Sequence, residues 1–255
     1  MKIFFIIILV LFSTISSAQS LLHNTDSLVI KETDIEFIFV QGGSFVMGSN
    51  ELNEEKPAHN VSVHSFYLSK YEITQQVWNI VMGYNESIHT GCNNCPVENV
   101  SWYDIQKFIN KLSKLTGKRY RLPTEAEWEF AASGGIYSKH YKYAGSNDPD
   151  SVAWYYGNSR SMTHVIGQKK PNELGFYDMS GNVEEWCNDW WDYNYYSYSP
   201  VNNPQGPSSG TKKVVRGGAY DFVVDAITVK GRSVYGVLPD LIGYSYGFRL
   251  ERDCQ

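Results

Sequence analysis

Hydrophobic and polar positions along the chain fall into a few short periodic blocks separated by long irregular stretches. From Ile35 to Met47, Phe37 and Phe39, then Phe45 and Met47, flank Gly42-Gly43, which predicts a strand, a turn and a second strand. Val61 to Tyr67 alternates and predicts another strand. Thr74 is a candidate N-cap for a helix with Val77, Trp78 and Val81 on one face and Gly83 as its stop. The strongest helical signal follows. Ser101 caps it with Asp104 three residues on, and Ile105, Phe108, Ile109, Leu112 and Leu115 recur at the helical period until Gly117. Pro123 then introduces Thr124-Glu125-Ala126-Glu127, a capping box, and a helix through Trp128, Phe130 and Ala131 to Gly134-Gly135.

Beyond Gly135 the periodicity fades. Ala153 to Tyr156 reads as a short aromatic strand or turn, and Lys213–Arg216, Ile227–Val229 and Tyr246–Leu250 are candidate strands. The densest stretch is Gly175 to Trp191, GFYDMSGNVEEWCNDWW. Ser180-Gly181-Asn182 marks a turn there, because Gly and Asn tolerate positive φ at low cost. Asp178, Asn182, Glu184 and Glu185 converge on it, and hard oxygen ligands on irregular backbone suit Ca²⁺. The bland alternative is a turn in an aromatic core with solvated acids. Tyr193, Tyr195, Tyr196 and Tyr198 follow; they offer flat faces with polar tips to a sugar or peptide, or simply pack their own loop.

Composition supports a mixed α/β class, in one loop-rich domain with an aromatic core: 21 Gly, 19 Tyr and 7 Trp accompany few helical patterns. At the N-terminus, Lys2, the apolar run Ile3 to Phe12 and Ser16-Ser17-Ala18 form a signal-peptide pattern, too short to span a bilayer. The expected organisation is therefore a signal peptide at 1–18, a polar leader at 19–34 and one domain at 35–252. This predicts a secreted, periplasmic or cell-envelope protein, with no later transmembrane segment. A net charge of −5 argues against nucleic acid or anionic membrane as the main partner.

Four cysteines, Cys92, Cys95, Cys187 and Cys254, remain after such a cleavage, and an exported chain with an even count implies disulfides in one of three connectivities. Cys92-Asn93-Asn94-Cys95 can close a local bridge. A zinc site lacks a second ligand pair, and a redox role wants a strand-to-helix junction where Pro96 and a loop follow instead. A structural disulfide is the favoured reading. The histidines His59, His64, His89, His140 and His164 show no metal-ligand spacing.

Seven ordered blocks carry a resemblance. They are GGSFVMGS at Gly42–Ser49, FYLSKYEIT at Phe66–Thr74, PVENVSWYDIQKF at Pro96–Phe108 and RLPTEAEWEFAA at Arg121–Ala132, then NELGFYDMSGNVEEWCNDWW at Asn172–Trp191, VVRGGAY at Val214–Tyr220 and GFRL at Gly247–Leu250. Together they resemble the formylglycine-generating enzyme (sulfatase-modifying factor) family. The resemblance implies that family's single α/β domain, related to C-type lectins. Its enzymes oxidise a sulfatase cysteine using O₂ and copper(I) held by two cysteines a few residues beyond the RGG block. The matching positions here are Phe222 and Ile227. Neither offers a thiolate to soft Cu(I), so copper is not expected. The family's structural calcium maps onto Asp178, the carbonyls of Gly181 and Val183, and Glu185, with Glu184 standing where the family usually has Trp. A second family calcium site would begin at Asn158 and Ser159, but its later partner has no match. The expectation is an exported, non-catalytic binding or structural module of the envelope or secretion machinery, with a protein or glycan ligand. The alternative is a formylglycine-generating-type oxidoreductase acting on a protein cysteine, with Cys187 and Cys254 brought together at the site.

Overall fold

Helix capping fixes the framework. In the computed structural model, which describes residues 35–252, the three predicted helices are present. The expected signal peptide and leader, and Cys254, lie outside the described residues. α1 (Gln75–Met82) starts at Thr74, whose hydroxyl accepts from the Val77 amide, and stops at Gly83 with φ 88°. α2 (Trp102–Thr116) carries a full capping box between Ser101 and Asp104. α3 (Glu125–Ala132) carries another between Thr124 and Glu127. A single turn, α4 (Pro149–Val152), has no counterpart in the sequence reading.

The strands differ more from expectation. β1 (Phe37–Val40) and β2 (Gly43–Met47) form, but they belong to different sheets. The expected strand Val61–Tyr67 is broken in the same place, giving β3 (His59–Val63) and β4 (Phe66–Ser69). β1 pairs with β4 and β2 pairs with β3, both antiparallel. At the corner the Gly42 amide donates to the Ser65 hydroxyl and the His64 amide to Asn203 Oδ1, so side chains replace the ladder bonds there. β5 (Tyr120–Arg121) and β9 (Glu251–Arg252) complete the first sheet in the order β1-β4-β9-β5.

The third sheet is built on the Gly175–Trp191 stretch. The turn read at Ser180–Asn182 leads into a strand that the sequence reading did not assign, β6 (Glu184–Trp190), the central strand between β7 (Lys213–Arg216) and β8 (Tyr246–Gly247). Glu184 to Cys187 are buried in succession, so no alternation advertises a strand. Ile227–Val229 is not a strand either. A single 3₁₀ turn at Val224–Ala226 precedes it, and Ile227 is buried.

Two large apolar clusters and a smaller one around Ile227 form the core. One large cluster joins Trp128, Phe130, Phe176, Met179 and Cys187; the other joins Trp78, Phe108, Trp186 and Phe248, with Trp78 and Phe108 stacked at 5.2 Å. α3 runs so deep that its three glutamates are buried. Each then needs a cation. Glu127 receives both outer nitrogens of Arg121 at 2.8 Å. Glu125 and Glu129 meet Arg216 at 3.0 and 2.6 Å, and Arg232 adds a bond to Glu125 at 2.8 Å.

Candidate functional site

The turn after Phe176 sits at the meeting point of the third sheet and the loops. Asp178, Gly181 and Asn182 all have positive φ, at 57°, 79° and 60°. A Cβ on Gly181 would collide with the Trp154 carbonyl, so only glycine fits. Asn182 ties the surrounding loops together: its Oδ1 accepts from the His164 amide at 2.9 Å and its Nδ2 donates to Glu72 Oε2 at 2.6 Å. Glu72 Oε1 accepts from the Val183 amide at 3.1 Å.

Asp178 and Glu185, the two predicted charged ligands, are both buried but differently occupied. Asp178 Oδ2 accepts from the Gly167 amide at 2.7 Å, while its buried Oδ1 has no hydrogen-bond partner among the described residues. Glu185 receives Arg249 Nε and Nη2 at 2.6 Å each and the Trp128 indole at 2.7 Å. Three carboxylates, Glu72, Asp178 and Glu185, thus face one guanidinium. Burial pushes the Glu72 carboxyl well above the usual range, with the charges of Asp178 and Glu185 adding to it. Burial raises Asp178 to about 6.

This donor set fits a hard cation in part. Asp178 Oδ1 is open, and Glu185 Oε1 accepts one bond where a carboxylate oxygen can accept two. No three His, Cys, Asp or Glu side chains converge as metal ligands among the described residues. A Ca²⁺ ion here would therefore depend on main-chain carbonyls such as those of Gly181 and Val183.

A second region lies beyond β7. Gly218 turns at φ 64°, and a Cβ there would stand 2.7 Å from the Ala226 carbonyl and 2.8 Å from Ile227 Cγ2. The chain folds back tightly, and Ile227 packs fully buried with Tyr143, Val152 and Ala153. Phe222 and Val224 pack on the same cluster. Cys187 is elsewhere, free and buried on β6, and burial first, then the Asp189 and Glu125 charges, push its thiol well up.

A third region is a surface groove of about 390 Å³. Its lining includes His89, Cys92, Cys95, Met162 and His164, and Cys92 and Cys95 are joined in a disulfide.

The family model of the sulfatase-modifying factor enzyme 1-like domain matches residues 28–254. The chain belongs to this family. Among its relatives, the chaperone protein LppX of Paenibacillus barcinonensis is 35% identical over 72% of this chain and 78% of its own length. The formylglycine-generating enzyme of Streptomyces coelicolor is 35% identical over 64% of this chain, which spans only 54% of that enzyme. The solved structure of Treponema denticola variable protein 1 superposes with a TM-score of 0.79 at 31% identity, over 85% of this chain and 94% of that one. The fold is thus a single mixed α/β domain of the formylglycine-generating enzyme and C-type lectin-like kind. No helix among the described residues is long and apolar enough to cross a membrane.

Within this sulfatase-modifying factor domain, sequence reading missed Glu72 and Arg249 at the Asp178 turn. Arg249 stands inside the otherwise apolar block GFRL, and a base embedded there is the signal that could have flagged it; Glu72 sits in the mixed block FYLSKYEIT beside Ser69 and Lys70, where nothing sets it apart. Glu184 is buried rather than facing water. Burial, then the charge of Asp221, raise its carboxyl to about 8.

Proposed function

We propose that this sulfatase-modifying factor-family protein is exported and works in the cell envelope or its secretion machinery as a binding or structural module that does not generate formylglycine. The observation that carries this reading is the packing of Phe222 and Ile227. They stand where the resemblance implies copper ligands, neither has a lone pair for Cu(I), and Ile227 is sealed in an apolar cluster. The residues present do not fit the metal, and no copper step is drawn. The chaperone name of the relative LppX is in keeping with a binding role. The partner in this proposal is a polypeptide or glycan, not nucleic acid. Structural Ca²⁺ at Asp178, Gly181, Val183 and Glu185 belongs to the same proposal, supported by the open oxygen of Asp178.

The test supplies purified protein with copper, reductant and O₂ and a Cys-x-Pro-x-Arg peptide, and reads the mass of the peptide. The expected outcome is unchanged cysteine and no copper retained. Conversion to the aldehyde overturns the reading and establishes the oxidoreductase alternative.

A further inference from the structure

The Cys92–Cys95 bridge sits in surroundings that a merely structural disulfide does not need. Its two sulfurs are unequally placed: Cys95 is 5% exposed, whereas Cys92 is half-buried and both line the open groove. The turn that carries them lies against the N-terminus of α1. The Gln75 amide donates to the Cys95 carbonyl at 2.9 Å and the Gln76 amide to the Asn93 carbonyl at 3.0 Å. The sequence lacks a strand-to-helix junction after Cys95, but the fold brings a helix start to the motif through space. The positive end of a helix favours a thiolate nearby.

His89 lines the same groove, held against the buried Glu98. The His89 main-chain amide donates to Glu98 Oε1 at 2.8 Å, and its ring Nδ1 stands 3.5 Å from the same oxygen. Glu98 is fully buried, and both its Oε2 and His89 Nδ1 are buried without a hydrogen-bond partner among the described residues. The walls of the groove are apolar and exposed at Ile88 (54%) and Met162 (46%). That combination, a half-buried disulfide cysteine lining a groove with exposed apolar side chains and an imidazole, matches a docked polypeptide better than a small ion.

We infer that the Cys92–Cys95 pair is a thiol–disulfide exchange centre that acts on cysteine thiols of a partner polypeptide docked in this groove. A partner thiol gives its proton to the His89 ring, which lines the groove, and attacks Cys92 Sγ. The Cys92–Cys95 bond breaks, a partner–Cys92 disulfide forms, and Cys95 leaves as a thiolate that takes up the proton. A second partner thiol then attacks the partner sulfur of the mixed disulfide, and Cys92 leaves as a thiol. The partner dithiol has lost two electrons to Cys92 and Cys95, and a further disulfide is needed to restore them. This goes beyond the binding-module reading and uses a different part of the molecule, so either can fail without the other.

The test uses the whole protein and two probes, dithiothreitol and oxidised glutathione. Native wild type in millimolar dithiothreitol should gain two alkylatable thiols over untreated protein, at Cys92 and Cys95 by mass, while its near-ultraviolet dichroism stays native. Cys95→Ser should form a mixed disulfide with glutathione at Cys92 at least about tenfold faster than Cys92→Ser does at Cys95. A bond that is reduced only once the protein unfolds overturns the inference, whether or not the variants fold. Equal rates in two folded variants overturn it as well.

Discussion

Two buried guanidinium clusters, one around Arg216 and one around Arg249, are built on opposite charge balances. Around Arg216, the carboxylates of Glu125 and Glu129 meet Arg216, Arg232 and, at 3.4 Å, the half-exposed Lys230. Burial alone would raise Glu125, but Arg232 and Arg216 outweigh it and hold the carboxyl below its ordinary value. Around Arg249, three carboxylates share one buried guanidinium, with Lys169 adding its charge at Asp178, and burial still pushes both Glu72 and Asp178 up. In the first cluster each of the two glutamates has at least one cation in hydrogen-bond reach. The second lacks positive charge, and that shortage is supplied by bound protons at low pH or by an added cation. The contrast separates a purely structural ion network from a site with chemistry left to do, although the two look alike as inventories of buried charge.

The largest expected effect comes from removing the cation at each centre. Arg249→Met leaves Glu185 paired only with the Trp128 indole, beside two further carboxylates. Breaking a buried ion pair from one side costs about 3–5 kcal/mol, and this variant should lie at the upper end or fail to fold. Arg216→Met should cost less, because Arg232 still bonds Glu125 and Lys230 still stands by Glu129. Urea unfolding of both variants checks the order. Equal losses would erase the distinction between the clusters.

How much of this was legible in the sequence follows the range of the interactions. The helices were readable because caps and apolar stripes are local: Ser101 and Asp104, or Thr124 and Glu127, satisfy one another within a single turn. β6 was not, because a strand buried on both faces shows no alternation. Ile227–Val229 looked like a strand for the opposite reason: its apolar residues are buried by a tight fold-back on Gly218, not by a ladder. At the candidate site Asp178 and Glu185 were found because the turn announces them. Glu72 could not be, since its partner Asn182 is 110 residues away and only the fold joins them. Arg249 is the more consequential omission, for without it the pairing of Glu185 cannot be inferred.

Calcium sharpens the comparison at the next level of effect. A ligand that binds only the native state stabilises it by about 2.7 kcal/mol at a hundredfold excess over Kd. Ca²⁺ should therefore raise the melting temperature of the wild type at pH 7.5 and leave Asp178→Asn unmoved, because the open Oδ1 is then no longer part of a carboxylate. The Arg216 cluster, already balanced, gives Ca²⁺ nothing to add, so Glu129→Gln should keep the full calcium response. Equal melting of wild type in chelator and in excess Ca²⁺ would leave the proton as the missing positive charge.

The smallest effect is that proton, read with calcium chelated. Asp178 has a folded-state pKa of about 6, above its ordinary value near 3.9 in an unfolded chain. A group whose folded pKa is raised contributes stability that is complete below the unfolded pKa and is lost as pH rises through the folded one. Between pH 4 and 6.5 the wild type should thus lose on the order of 1–2 kcal/mol through this group, less than the full shift implies because Glu72 competes for the same field. Asp178→Asn cannot titrate and should show a flatter profile over that range, meeting the wild type at low pH and exceeding it near neutrality. Glu125, held low by two arginines, works in the opposite sense: its contribution is present above its unfolded pKa and disappears on acidification. Urea midpoints across pH for wild type, Asp178→Asn and Glu125→Gln therefore give slopes of opposite sign for the two clusters, and parallel profiles for the two variants would show that the charge imbalance at Arg249 is not felt by the folded state.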